Sequence, residues 1–242
     1  MIGTSYLIEF RRRVIRGLLA VFLVFFPLCY FAKELYTLLA LPLLNHLPEG
    51  GQLIATNVAA PFLAPFKFAL VISVFIVMPY LLQQLWSFIA PALYKDERRF
   101  YLPLLATSII LFYIGILFAY FIVFPLVFRF FISMTPQGVK VLPDITHYLE
   151  FALTLFFAFG LAFEVPVLTV ILIKSGICTE RSLKNKRPYI IVGAFVMGML
   201  LTPPDVISQT LLAVPMWLLF EAGLLMAKLL QRFHPSVTEQ PD

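Results

Sequence analysis

Hydrophobic and charged positions alternate along this chain in long blocks rather than at a helical or strand period. Residues 17–32, 68–94, 100–128, 188–204 and 206–220 contain no Asp, Glu, Lys or Arg, and 151–173 is broken only by Glu164. A helix rises about 1.5 Å per residue and the hydrocarbon core is about 30 Å thick, so about 20 apolar residues cross it. The pattern predicts an all-α polytopic membrane protein. Its six spans fall over about 14–33, 66–92, 102–128, 149–173, 188–203 and 206–227, forming one membrane domain over 1–242 with a short polar, flexible tail at 229–242. The last two spans read as a hairpin turning at Pro203-Pro204-Asp205. Its two charge-free runs, 188–204 and 206–220, are short, about 22–26 Å by helical rise, and barely cover the hydrocarbon.

The segments between the blocks set the orientation. Lys and Arg mark cytoplasmic loops. Arg11, Arg12, Arg13 and Arg16 precede the first span. Lys95, Arg98 and Arg99 follow the second, and Lys174, Arg181, Lys184, Lys186 and Arg187 follow the fourth. With Lys228 and Arg232 in the tail, 14 of the 18 basic residues fall on one side. Both termini are therefore expected in the cytoplasm, as an even number of spans requires. The longest external segment, 34–64, carries Leu35, Leu38, Leu39 and Leu43 at near-helical spacing and predicts a helix along the membrane surface. Asp144 or Thr146 is the expected cap of the fourth span. Proline lies in or beside every span. Interior residues such as Pro79, Pro166 and Pro215 remove a helical hydrogen bond, so a curved bundle of kinked helices is expected, alongside the plainer reading that membrane helices tolerate proline.

Composition agrees with a membrane solvent. The chain is 61% hydrophobic and 13% charged, with 26 Phe and a mean hydropathy of +0.94. One water-soluble core cannot hide that much apolar surface, which excludes an ordinary soluble enzyme, a disordered chain and a disulfide-stapled module. The net charge of +5 sits in short clusters between spans, so no nucleic-acid partner is implied. Cys29 and Cys178 fall in places too separate to pair. The basic start followed by an apolar run resembles a signal peptide, but no small-x-small site follows, so it is read as a retained first span. There is no phosphate-binding loop, no H-E-x-x-H and no G-x-S-x-G. His46, His147 and His234 are scattered over loops and tail. Neither a cofactor, a metal nor a catalytic residue is expected.

The informative side chains are acids. Glu164 lies inside the fourth span, two residues before Pro166, where a carboxyl costs about 2.5–3.5 kcal/mol on insertion scales. No Lys or Arg lies at matching depth. It is therefore protonated, hydrated in a cavity, or hydrogen-bonded to polar groups, and either lines a functional cavity or satisfies the carbonyl that Pro166 frees. Glu9 and Glu97 stand beside Arg11-Arg12-Arg13 and Arg98-Arg99. Each is either a solvated local ion pair or, together, a clamp for a basic peptide. Met199, Thr202 and Gln209 flank the tip of the last hairpin, where polar groups bond to another helix or only satisfy the turn.

Longer strings carry a resemblance. The run from Phe88 through Ile89-Ala90-Pro91-Ala92-Leu93-Tyr94-Lys95-Asp96-Glu97-Arg98-Arg99 resembles the first cytoplasmic loop of the TatC family, receptors of the twin-arginine protein translocase. Tyr6-Leu7-Ile8-Glu9-Phe10-Arg11, Phe159 through Pro166, Lys186-Arg187-Pro188-Tyr189 and Gly198 through Asp205 are similar to further family motifs, in the same order. The resemblance implies a six-span bundle that binds paired-arginine signal peptides. With single-span TatA- and TatB-like subunits, in a multimeric complex within membrane lipid, it passes folded proteins across the bacterial cytoplasmic (inner) membrane using the proton-motive force. It implies signal-peptide contacts at Glu9, Arg11, Phe88 and Glu97, a polar intramembrane position at Glu164, and partner docking at Met199, Thr202 and Gln209. The chain departs from the family at Tyr6, where His is usual, and at Asn57, where Asp is usual. The alternative from another class is a proton-coupled small-molecule carrier built on Glu164. That carrier would call for discontinuous helices and internal symmetry, and no repeat is visible.

Overall fold

The computed structural model describes residues 2–44, 54–93, 101–136, 142–202 and 205–233. Ten α-helices fill the described residues, and the only strand-like feature among them is one isolated parallel bridge, Ile54 to Asp144. The helices are α1 Ile2–Tyr30, α2 Ala32–Leu44, α3 Ala60–Leu93, α4 Tyr101–Phe118, α5 Phe124–Ser133, α6 Ile145–Ala162, α7 Val165–Lys174, α8 Glu180–Asn185, α9 Arg187–Leu201 and α10 Val206–Phe233. Five stretches among the described residues are long and apolar enough to cross a membrane: Ile8–Tyr30, Ala60–Phe88, Leu102–Ser133, Ile145–Lys174 and Val206–Leu229. The apolar α9 is shorter. The Gly50-Gly51 turn, Glu97 with its loop, the Pro203-Pro204 tip, His46 and the tail from His234 onward lie outside the described residues.

The chain divides into two compact units, residues 1–109 with 124–155, and residues 110–123 with 156–242. In the first unit α1 and α2 pack on α3, and α2 also touches α5. Phe124 and Phe128 of α5, 4.7 Å apart, meet Tyr148 and Phe151 of α6 with ring centroids 5.5–6.5 Å apart. Trp86 Nε1 donates to Ser108 Oγ at 3.1 Å, a buried bond between α3 and α4. In lipid no hydrophobic force drives helices together, so close packing and such bonds must hold them.

The second unit packs α10 against α7, α8 and α9. Val170, Ile173, Leu183, Phe220, Leu224 and Ala227 form its buried cluster. Three glycines allow near contact of helices. A Cβ on Gly115 would lie 2.6 Å from the Phe159 carbonyl, one on Gly160 2.7 Å from the Phe112 ring, and one on Gly223 2.8 Å from Pro166 Cα.

Prolines act in two different ways. Pro27 and Pro215 lie inside continuous helices. Pro166 instead stops one helix and starts the next. Its missing N–H cannot bond the Ala162 carbonyl, and α6 ends at Ala162 while Pro166 occupies the first turn of α7. The fourth span is thus two helices joined through Phe163 and Glu164 rather than one kinked helix. In the third span a π-helical turn, Ala119–Val123, precedes Pro125 and leads into α5. A wider turn accommodates the carbonyl of Phe121, which Pro125 cannot satisfy.

The expected short hairpin is only half right. α9 has 15 residues and spans about 22 Å, but α10 has 28 and spans about 42 Å. Glu221, where the charge-free run stops, does not end the helix because its carboxylate is paired with Arg187 Nη2 of α9 at 2.6 Å. The first helix is also longer than its apolar run, since the arginine cluster is itself helical. α2 matches the helix expected in the external segment. Its inward face carries Ala32 and Tyr36, whereas Leu38 is 60% exposed.

Candidate functional site

The arginine cluster of α1 meets the end of α3 within the first unit. Glu9 and Arg13 are one helical turn apart, and Arg13 Nε and Nη2 both donate to Glu9 Oε1, at 3.1 and 2.6 Å. Arg13 Nη1 also donates to the Gln84 carbonyl at 3.2 Å, and Nη2 reaches the Ser87 carbonyl at 3.5 Å. One guanidinium therefore ties Glu9 to the α3 backbone. Phe10 and Phe88 meet beside it with centroids 5.7 Å apart and their rings tilted by 55°. Arg11 is exposed on the same stretch of α1. Of the four residues expected to bind a signal peptide, Glu9, Arg11 and Phe88 thus share this corner of the first unit, and Glu97 lies outside the described residues. Arg13 was missed in the sequence, although its spacing of four from Glu9 is the signal that finds it.

Glu164 occupies the turn between α6 and α7. It is 6% exposed and stands at the cap position of α7, yet its side chain makes no capping bond there. Its backbone N–H donates to the Leu161 carbonyl at 3.0 Å, and its carbonyl accepts from Leu168 at 2.9 Å. The acid is buried at a helix break inside a candidate span, beside the α7–α10 contact at Gly223.

The hairpin residues divide by exposure. Met199 is 51% exposed, whereas Thr202 is 5% exposed and its hydroxyl donates to the Gly198 carbonyl at 3.0 Å. A Cβ on Gly198 would sit 3.2 Å from the Gln209 carbonyl oxygen, so α9 and α10 approach closely there. Asp205 caps α10 by accepting from Ser208 N at 2.7 Å. Thr202 thus uses its proton within its own helix, while half-buried Gln209 and exposed Met199 border the surface.

A second polar cluster was only partly foreseen. Asp144 Oδ1 accepts from the Thr146 and His147 amides at 2.8 and 3.1 Å, confirming it as the cap of α6. Its other oxygen accepts from Thr56 N and Thr56 Oγ1 at 2.9 and 2.6 Å. The Thr56 hydroxyl and amide, then the His147 and Thr146 amides, hold this carboxyl well below the usual carboxylate range. Tyr36 Oη donates to the Ile145 carbonyl at 3.3 Å. Burial, and then the Asp144 charge, push that phenol up to about 12. Ile54 completes the clasp by exchanging backbone bonds with Pro143 and Ile145 at 3.0 and 2.8 Å.

Comparison with known proteins settles the family. Residues 5–215 match the family model described as Sec-independent protein translocase protein (TatC). The chain belongs to the TatC family. The Sec-independent protein translocase protein TatC of Azotobacter chroococcum mcd 1 is 57% identical over 238 residues, covering 98% of this chain and 93% of that one. The TatC of Escherichia coli strain K12 is 52% identical over 224 residues, covering 93% of this chain and 87% of that one. Among solved structures, a crystal structure of the twin arginine translocase receptor TatC superposes with a TM-score of 0.83 at 38% identity. It covers 93% of this chain and 98% of its own. The same receptor in DDM gives 0.84. This chain is accordingly a polytopic, helical component of a protein translocase. The family is one of protein translocases, which gives the small-molecule carrier no support.

Proposed function

We propose that this chain is the signal-peptide receptor of a twin-arginine export machinery, without catalytic activity of its own. It resides in the bacterial cytoplasmic membrane with both termini in the cytoplasm, as the distribution of Lys and Arg favours. Glu9 and Glu97 receive the paired arginines, with Arg11 and Phe88 beside them in the signal-peptide contact surface. Met199, Thr202 and Gln209 receive the helix of a TatA- or TatB-like subunit. Folded cargo then crosses at the expense of the proton-motive force.

The observation that carries the reading is the Glu9–Arg13 pair. A carboxylate there already accepts two bonds from a guanidinium fork, and Arg13 keeps its hold on the α3 carbonyls if Glu9 turns to another arginine. A signal arginine can replace one fork with another at little cost in desolvation. Lysine carries the charge without the fork. Because the Glu9 side chain is 47% exposed, this one exchange contributes only the ~0–1 kcal/mol of an exposed pair. Affinity must therefore come from Glu9 and Glu97 together.

The experiment is crosslinking of a labelled paired-arginine signal peptide to membranes carrying the full protein. Glu97→Lys should abolish most of the crosslink, Glu97→Gln should weaken it, and Glu9→Gln should add to that loss. A paired-lysine signal should crosslink less than charge alone explains. Equal crosslinking by wild type and Glu97→Lys, at matched protein levels and low salt, would remove Glu97 from the site.

A further inference from the structure

An apolar groove of about 520 Å³ runs between α1 and α3 within the first unit. On α1 its lining repeats every three or four residues from Phe10 to Phe22. Its polar lining residues, Arg13 and Gln84, stand together at one end. That end coincides with the basic stretch Ile8–Arg16, which holds four arginines and one glutamate. Arg11 lies seven residues before Leu18, a groove-lining residue, and so flanks the same face of the helix.

Two magnitudes identify the occupant. The twelve helical rises from Phe10 to Phe22 give the groove a length of about 18 Å, close to the depth of one leaflet of hydrocarbon, about 15 Å. Dividing the volume by that length gives a mean free cross-section of about 29 Å², against about 80–115 Å² for a helix with its side chains. A peptide in lipid must be helical to satisfy its backbone, and a helix is too thick to lie within the groove rather than across its open side. A single hydrocarbon chain is not. Gly17 leaves room on the α1 side, since a Cβ there would approach Leu81 Cδ2 to 2.9 Å and oblige that side chain to shift.

We propose that this groove is a binding site for an anionic phospholipid. One acyl chain lies along it, and the phosphate rests on the arginine-rich end with Arg11 as its first contact. Arg13 shapes that end while held by Glu9 and the α3 carbonyls. The proposal does not depend on the signal-peptide reading, since it needs only a groove, a charge at one end and a bilayer around both.

The test uses the full chain in phosphatidylcholine vesicles containing a trace of phosphatidylglycerol with a photoactivatable group in its acyl chain. After irradiation, labelled residues are mapped by mass spectrometry. Labelling should concentrate on Leu18, Val74 and Leu81 rather than on the exposed Leu225 and Leu229 of α10. The phosphatidylglycerol probe should exceed a phosphatidylcholine probe with the same chain by about fivefold, the effect of one arginine near a phosphate, and Arg11→Gln should erase that preference. Val74→Phe should remove the groove labelling. Leu18→Trp, at a position 53% exposed, does the same from the open side if Val74→Phe fails to fold. Inorganic phosphate should not compete. Uniform labelling of all lipid-facing helices, or equal labelling by both probes, would overturn the proposal. So would displacement of the lipid by a paired-arginine signal peptide that itself labels Leu18 and Val74.

Discussion

Gly223→Ala isolates what holds the broken fourth span in place. The new Cβ would lie 2.8 Å from Pro166 Cα, 3.0 Å from Thr169 Cβ and 3.1 Å from Thr169 Oγ1. Carbon atoms settle at about 3.5–4.0 Å, so α7 and α10 must separate by about 1 Å. The nearest obstacle is backbone in a proline ring system, which has no rotamer to yield. Overpacking of this kind costs about 1–3 kcal/mol. Replacing Gly by Ala inside a helix also gains about 1 kcal/mol of propensity, which partly conceals the clash. Gly193→Ala in α9 supplies the correction, because its Cβ meets nothing within 4 Å. Both variants share the propensity gain, so the difference between them is the steric cost alone. The assay is the apparent midpoint of thermal unfolding of the full protein in mild detergent, at one scan rate. Gly193→Ala should match or exceed wild type, and Gly223→Ala should fall below Gly193→Ala by about 1–3 kcal/mol. Gly223→Ala should also impair export, because the strain falls on Pro166, two residues from Glu164. If Gly223→Ala stabilised as much as Gly193→Ala, close approach of α7 and α10 would not explain this glycine.

Three further outcomes are expected. Asp144→Asn should destabilise the protein at neutral pH. The carboxyl is held below its ordinary value, so its contribution is full above pH ~4 and is lost as pH falls further; wild type and variant should converge in acid, and a gap independent of pH would refute this. Glu164→Gln should fold and keep partial export, whereas Glu164→Leu should fold at least as well yet fail to export, because a buried acid is costly to fold with; normal export by the Leu variant would leave the acid a purely structural role. Cysteine at the exposed Met199 should crosslink to a TatA- or TatB-like helix, and crosslinks confined to the face of the third span would contradict partner docking at the hairpin.

The long apolar helices, the cap at Asp144 and a disturbance of the helix at Pro166 were legible along the chain because each depends on local chemistry. Proline cannot donate, an Asx side chain reaches two or three residues forward, and twenty apolar residues suit a bilayer wherever they occur. The family strings named Glu9, Arg11 and Phe88, which the fold brings to one corner, but not Arg13 as the link from that corner to α3. What the sequence could not determine were terms decided by partners far away in the chain. The charge-free run stops at Glu221, yet the helix continues to Phe233 with Glu221 paired to Arg187, 34 residues earlier. Thr56 and Asp144 are separated by 88 residues and Tyr36 and Ile145 by 109, so nothing in either neighbourhood announces the clasp. Gly223 reads as a weak helix residue and becomes a requirement only when Pro166 stands 2.8 Å from where its side chain would be. Hydropathy reports the cost of moving a residue from water to lipid, which is a property of that residue. Charge neutralisation and close approach are properties of pairs, and only the folded chain brings the pairs together.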